Sequence, residues 1–469
     1  MSKSSTQHDK AVSEIKSLLP QSCYTDDSDI MVPFLSEWRD RWQGHTPLLL
    51  RPESTEHVSQ IVKICARHKT PVMAQGGNTG LVGGQTPQGE ILISTQRLNK
   101  IRSVNADDMS LVCEAGTTLV NAQNAANDIG LKFPLSLASQ DACTIGGNLS
   151  TNAGGVHVLK YGTAKELCFG VEAVLPNGEI YNGLTALRKD NTGYDLSRLL
   201  LGAEGTLGII TAASLKLVAK PKEIVRVMVG LDSPEQALAL LNIVRIGNHL
   251  AMFELIPRLG MSYVTAHIPN MRDPFNDIHA WYVLLDWEFD IAGQGQDFAQ
   301  NVLEKAMDAG IFNDAILASN ETQAENLLAL REHLSASQKP IGGTIKHDIT
   351  VPVSKTADFI HSANQAVTAH IPDCRPLPFG HLGDGNIHYN IGQPEGMDKA
   401  KFMALEPEIN EIVYDIVDAL GGSISAEHGI GILKKDQLRK RADHAKLTMM
   451  KTIKTALDPD CIMNPRLLF

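Results

Sequence analysis

The chain has 469 residues, too many for one core, so two or three domains are expected. Its 43% hydrophobic and 20% charged residues describe an ordinary soluble globular protein with no apolar run long enough to span a membrane. A net charge of -11, from 42 basic and 53 acidic residues, argues against nucleic acid as a partner, because phosphate binding needs a basic face.

The amino terminus lacks an apolar signal core and carries Asp9 and Glu14, which transit peptides avoid. Seven scattered cysteines, without a Cys-x-x-Cys pair, read as reduced and mostly buried thiols. Together these features predict a cytoplasmic protein.

Residues 46–130 alternate helix and strand signals. Val58, Ile61, Val62, Ile64 and Cys65 have helical spacing within Ser54 to Thr70, and Pro71 to Ala74 reads as a strand entering a glycine loop. Ile91 to Ser94 and Leu111 to Glu114 read as strands, and Thr118 to Asn127 as a helix ended at Gly130. Residues 139–155 read as a second glycine loop, and Val171 to Leu175 as a strand before a hairpin turn. After Pro221 the strands Val225 to Gly230, Trp281 to Glu288 and Thr350 to Val353 are expected. The helices Ser233 to Ile246, Gln296 to Ala309 and Glu321 to Ser337 should flank them. This second region reads as α+β, with an antiparallel sheet.

The first glycine loop runs Gln75-Gly76-Gly77-Asn78-Thr79-Gly80, and successive backbone N–H groups there can cradle a pyrophosphate. A nicotinamide-binding reading fails, because the spacing is not Gly-x-Gly-x-x-Gly and a strand follows instead of a helix. The second loop places Thr144, Gly146, Gly147, Asn148, Thr151, Asn152, Gly154 and Gly155 together. Two such loops suggest a dinucleotide held by neutral donors, although each alone also reads as a plain Gly-rich turn. Glu204, bordered by Gly205 and followed by Gly208 and a β-branched strand at Ile210, fits a sugar hydroxyl or a surface turn equally well.

A hairpin turn is expected at Asp384-Gly385, since Gly accepts the positive φ of a type I′ turn. That turn would put His381 opposite His388, with Cβ atoms roughly 4.5–5.5 Å apart. Two imidazoles so placed suit one metal, or an ordinary pair of sheet histidines. Glu427, beside His428 in a glycine-flanked turn, supplies the carboxylate of a three-ligand site. His381, His388 and Glu427 are therefore the candidate metal ligands, and His428 the candidate base.

Taken in order, these segments resemble the FAD-linked oxidases of the vanillyl-alcohol oxidase and para-cresol methylhydroxylase fold. They are most similar to the D-2-hydroxyglutarate dehydrogenases, with D-lactate and glycolate dehydrogenases as relatives. Arg188 to Leu196, Glu204 to Gly208, Gly380 to Asn386, Glu427 to Gly431 and Met463-Asn464-Pro465 carry the resemblance alongside the two loops. It implies an FAD-binding domain over residues 1–220 and a cap or substrate domain over 221–425 that carries the hairpin. A segment over 426–469 would return to the FAD domain.

By the same resemblance FAD is held by the two loops, by Pro134 and Leu135, by the Glu204 segment and by Asn464. It is held non-covalently, because Asn78 stands where covalent relatives place a histidine. His381, His388 and Glu427 match a divalent-metal set, most often zinc, and His428 matches the base. Arg331, Ser335, Lys346 and Asn390 match substrate-binding positions. The implied reaction takes the hydroxyl proton of a D-2-hydroxy acid to His428 and its α-hydrogen as hydride to FAD. Two basic anchors rank the diacid 2-hydroxyglutarate above D-lactate, D-malate or glycolate. An electron-transfer flavoprotein or quinone would take the electrons, and a homodimer is the expected assembly. A metal hydrolase would use only the His-His-Glu set, and a non-catalytic flavin sensor would need no metal.

Overall fold

A computed structural model describes residues 3–468, with side chains from His8 onward. The chain divides into two compact units: residues 1–154, 162–220 and 427–469, and residues 155–161 and 221–426.

Among the described residues, the first unit is built on two larger sheets. One runs in the order Tyr24–Thr25, Leu49–Leu50, Ile91–Ser94, Val72–Gln75, with the last two strands parallel. Its central strands Leu49–Leu50 and Ile91–Ser94 are buried throughout, as parallel strands covered on both faces should be. The helix Thr55–His68 covers one face with Val58, Ile61, Val62 and Cys65, and starts where the Ser54 hydroxyl accepts the His57 amide N–H. The second sheet is antiparallel, in the order Ile101–Asn105, Ser110–Glu114, Ile209–Lys216, Cys168–Val174, Ile180–Asn182. The carboxy-terminal segment rejoins the first sheet where Met463 bridges to Val72.

The second unit carries a four-stranded antiparallel sheet, in the order Leu250–Pro257, Trp281–Phe289, Glu223–Leu231, Asp314–Leu317. A three-stranded sheet, Thr344–Thr350, Asn386–Gly392, Arg375–Phe379, continues it through one bridge between Leu255 and Gly380. Side chains alternate across these strands. Ile345, Ile349, Ile387, Tyr389 and Ile391 are fully buried on one face. There the Phe359 ring packs on Tyr389, and His347 bonds Asn410. Lys346, Asp348, His388 and Asn390 fall on the other face, because Lys346 pairs with Asn390 and Asp348 with His388.

Several expectations are corrected. The second glycine loop contains a helix, Ile145–Thr151, which ends where Asn152 adopts φ 51°. The strand expected over residues 350–353 lies earlier, at Thr344–Thr350, and Pro352 forbids its continuation. The helix expected to Ser337 breaks at His333. The strand Leu250–Pro257 is absent from the sequence reading, because an apolar run interrupted only at Glu254 has no alternation to identify it.

The hairpin is also longer than expected. Of Asp384 and Gly385 only the glycine has positive φ, at 88°, so a type I′ turn, which needs both central residues there, does not form. Instead Leu382–Asp384 makes a 3-10 turn, and the Asp384 carboxylate accepts the Asn386 amide at 3.0 Å. His388 consequently pairs with Phe379 rather than with His381, and His381 lies in the turn.

Six of the seven cysteines are buried, and burial pushes the Cys65, Cys113 and Cys168 thiols up to about 12; only Cys461 is exposed. A thiol reagent at neutral pH is expected to modify one cysteine rapidly in the native protein and seven after denaturation. A second fast equivalent would contradict this packing.

Candidate active site

In the first unit the two glycine loops touch. A Cβ added at Gly77 would sit 1.9 Å from the Ala142 carbonyl oxygen, and one at Gly76 would sit 2.2 Å from Thr144 Oγ1. Only glycine allows that approach. Asn78 stands at φ 56°, and its amide Nδ2 donates to the carbonyls of Ser36, at 2.7 Å, and Pro33, at 3.2 Å. Gln75 Nε2 likewise donates to the carbonyls of Phe34 and Gln85, at 2.9 and 3.0 Å.

These bonds spend the amide N–H groups and leave the oxygens over. Gln75 Oε1, Asn78 Oδ1, Thr144 Oγ1, Asn148 Nδ2 and Asn464 Oδ1 are buried without a partner. Buried polar atoms are ordinarily paired, so four orphans along one pair of loops, with a fifth on the carboxy-terminal segment, mark a place where a polar ligand belongs. The donor and acceptor set fits a dinucleotide. Around it Thr151 Oγ1 donates to the Gly147 carbonyl at 3.1 Å, and the Gly80 carbonyl accepts Gln85 Nε2 at 2.8 Å. Pro134 and Leu135 are buried, and the Leu135 carbonyl accepts Gln123 Nε2 at 2.7 Å. Gly154 closes the unit's first segment, and Gly155, at φ 113°, falls in the other unit.

Glu204 also sits in the first unit, at φ 52°. Its carboxylate accepts the backbone N–H groups of Ile430 and Gly431, each at 2.8 Å. Burial pushes the carboxyl up, and the two amides and Lys434 oppose it. Asn464 donates to the Glu204 carbonyl at 2.9 Å, tying the same loop to the carboxy-terminal segment. The sequence missed this role, since a carboxylate that ties the 430–431 backbone has no local signature. Gly205 has φ 71°, a Cβ on Gly208 would sit 2.9 Å from the Val174 carbonyl, and Ile210 is buried in its strand opposite Ala173. Glu427 and His428 are half-buried neighbours with a carboxylate-to-Nε2 distance of 3.6 Å, so both point to one side of their glycine turn.

In the second unit His381 and His388 come together despite the changed register: their rings lie 5.4 Å apart, edge to face. His388 Nδ1 is 3.8 Å from Asp348, which also accepts a 3.0 Å hydrogen bond from Asn386 Nδ2. His388 and Asp348 are close enough to serve one divalent cation together, whereas His381, whose Nδ1 is bonded to Glu254, does not fall in that group among the described residues. Asp348 escaped the sequence reading. Its signal was the alternation Lys346-His347-Asp348, which puts Asp348 on the His388 face.

Glu254, also missed, is fully buried inside its apolar strand. It accepts from His381 Nδ1 and from Arg331 Nε, each at 2.6 Å. Burial alone would raise this carboxyl; His381 and Arg331 outweigh it and bring it down to about 2. The ionised pairing therefore stabilises the fold above the ordinary carboxylate range, and that contribution is lost as pH falls toward 2. Arg331 is itself only 8% exposed. Its guanidinium lies 5.2 Å from the Phe379 ring centroid, and its two Nη groups make no hydrogen bond among the described residues. Lys346 is half-buried opposite Asn390, Asn390 donates to Gln338 at 2.9 Å, and Ser335 is exposed on the short helix Leu334–Ser337.

Known proteins place this geometry. Residues 46–183 match an FAD binding domain, and residues 220–468 match the C-terminal domain of FAD linked oxidases. The chain is 35% identical over 463 residues to a mitochondrial D-2-hydroxyglutarate dehydrogenase of Danio rerio, covering 98% of this chain and 85% of that one. It is 33% identical over 449 residues to a D-2-hydroxyglutarate–pyruvate transhydrogenase of Saccharomyces cerevisiae, covering 93% and 89%. The structure of p-cresol methylhydroxylase with substrate bound superposes with a TM-score of 0.79 at 16% identity, over 98% of this chain and 96% of that one, which shows a shared fold. The expected family and fold are borne out. The expected cytoplasmic location is not, because the Danio rerio relative, matched over most of both chains, is named mitochondrial. The chain belongs to the FAD-linked oxidases, in the family of the D-2-hydroxyglutarate dehydrogenases.

Proposed function

We propose that this protein oxidises D-2-hydroxyglutarate to 2-oxoglutarate, with Arg331 as the group that selects a diacid. The observation that carries the reading is the Arg331 guanidinium: buried, fixed through Nε, and with neither Nη group hydrogen-bonded among the described residues. A planar pair of donors in a desolvated site takes a carboxylate bidentately. D-Lactate and glycolate lack the second carboxylate that such an anchor requires. The names of the relatives support the same substrate.

Lys346 and Asn390, paired across neighbouring strands, would bind substrate oxygens, with Ser335 contributing a hydroxyl. His381, His388 and Glu427 would hold a divalent cation, with zinc the first candidate, and Asp348 stands beside His388 as a further carboxylate. His428 would take the hydroxyl proton, a role suited to an imidazole near neutral pH. When bound, FAD supplies the hydride acceptor and the cation polarises the α-hydroxyl. The flavin would be held non-covalently, a reading supported by the asparagine at 78, whose amide N–H groups go to two backbone carbonyls. An electron-transfer flavoprotein or a quinone would reoxidise the enzyme.

Three outcomes are expected. With a dye as acceptor, Arg331→Lys, which keeps the charge but loses the fork, should lower kcat/KM for D-2-hydroxyglutarate by about 10–100-fold, the cost of about 1.5–3 kcal/mol of charge-assisted bonding. Activity toward D-lactate should change little; an unaltered preference would remove Arg331 from substrate selection. His428→Asn should keep its flavin spectrum and lose about 10²–10⁴-fold in turnover, whereas near-normal turnover would discard His428 as the base. Gly77→Ala, which drives a methyl into the Ala142 carbonyl, should cost about 1–3 kcal/mol by overpacking and yield protein depleted in flavin absorbance. Full flavin occupancy would contradict the role of the two loops.

A further inference from the structure

Glu254 is a charged residue where the chain has every reason to place an apolar one. It stands within Leu250–Pro257, every residue of which is buried. Met252 and Ile256, two positions away on either side, pack in one cluster with Leu330, Leu334 and Phe379. Burying a carboxylate is costly, and well-packed apolar residues commonly replace buried ion pairs without loss of stability. The ionised pairing stabilises the fold relative to a protonated Glu254, but an apolar residue could serve stability as well, and its two partners suggest why a carboxylate stands here.

The bridge between Leu255 and Gly380, with backbone hydrogen bonds of 2.8 and 3.1 Å, fixes the strand against the start of the hairpin turn. That places one carboxylate oxygen on His381 Nδ1 and the other on Arg331 Nε. The contacts then close a ring. The Arg331 guanidinium stacks on Phe379, the Phe379 ring lies 5.2 Å from His388, and the His388 ring lies 5.4 Å from His381. A proton donated from Nδ1 to a carboxylate leaves the lone pair of the imidazole on Nε2. In metal sites this arrangement fixes the tautomer and ring orientation of a ligand.

We propose that Glu254 is a positioning residue that sets His381 as an Nε2 ligand and, through its other oxygen, holds the Arg331 anchor in register with it. The inference rests on the reading of His381 as a metal ligand and Arg331 as a carboxylate anchor. It adds that one carboxylate couples the two, so that metal affinity and diacid selectivity change together.

Glu254→Gln tests this, because it removes the charge and leaves one acceptor oxygen for two donors, so His381 Nδ1 and Arg331 Nε can no longer both be held. Metal-stripped FAD protein, wild type and variant, would be titrated with Zn²⁺ and with Co²⁺, and assayed with D-2-hydroxyglutarate and D-lactate. The expected result is divalent-cation affinity lowered by about 10–100-fold, KM for D-2-hydroxyglutarate raised, D-lactate kinetics changed less at saturating metal, and flavin content unchanged. Glu254→Asp should recover part of both losses. Unchanged metal affinity and KM in Glu254→Gln would overturn the proposal and leave the ligand reading standing. Failure of the wild type to take up either cation would overturn both. Should the variant not fold, ¹⁵N spectra of the wild-type histidines decide the question: the Nδ1–H tautomer at His381 is expected, and an Nε2–H tautomer in the metal-stripped protein overturns the proposal.

Discussion

The two-residue alternation of the strands Thr344–Thr350 and Asn386–Gly392 organises the candidate site of the second unit. Five apolar or aromatic side chains on one face are buried against helices, and that burial fixes which side chains the opposite face must show. Lys346, Asp348, His388 and Asn390 are therefore not gathered by chance contacts; they are the complement of the core. A slip of one residue would bury all four and expose the isoleucines. The site inherits the rigidity of a sheet whose register the core enforces.

The first unit obeys a different constraint. Its two glycine loops approach so closely that a methyl group on Gly76 or Gly77 would overlap the facing loop. The amide donors of Gln75 and Asn78 go to backbone carbonyls at residues 33–36 and 85, which leaves their oxygens, with Thr144 Oγ1, buried and unpaired. An unsatisfied buried polar atom costs free energy, and a polar ligand that paired these atoms would relieve that cost. Glu204 and Asn464, both with positive φ, tie the loop at 204 to the carboxy-terminal segment.

Much of the fold was legible in the sequence because it depends on local pattern. The helix Thr55–His68 announced itself by spacing and a Ser cap, and the glycine loops by composition. Non-local facts were not legible. The hairpin register could not be read from Asp384-Gly385, because the same dipeptide serves a 3-10 turn as readily as a type I′ turn, and only one of its residues adopts positive φ. Glu254 gave no signal, since nothing in an apolar run says that one carboxylate will meet a histidine 127 positions away. Asp348 was visible in principle, by alternation from Lys346, but only once that segment was recognised as a strand.

The central claim is that D-2-hydroxyglutarate delivers its electrons to FAD on this protein. The most direct measurement is the flavin absorbance of purified, metal-replete protein, followed anaerobically after mixing with D-2-hydroxyglutarate, its L enantiomer, D-malate, D-lactate and glycolate. Rapid bleaching by D-2-hydroxyglutarate, with the L enantiomer inert and the one-carboxylate acids slow, is the predicted result. A flavin that D-lactate or glycolate bleaches while D-2-hydroxyglutarate leaves it oxidised would contradict the account.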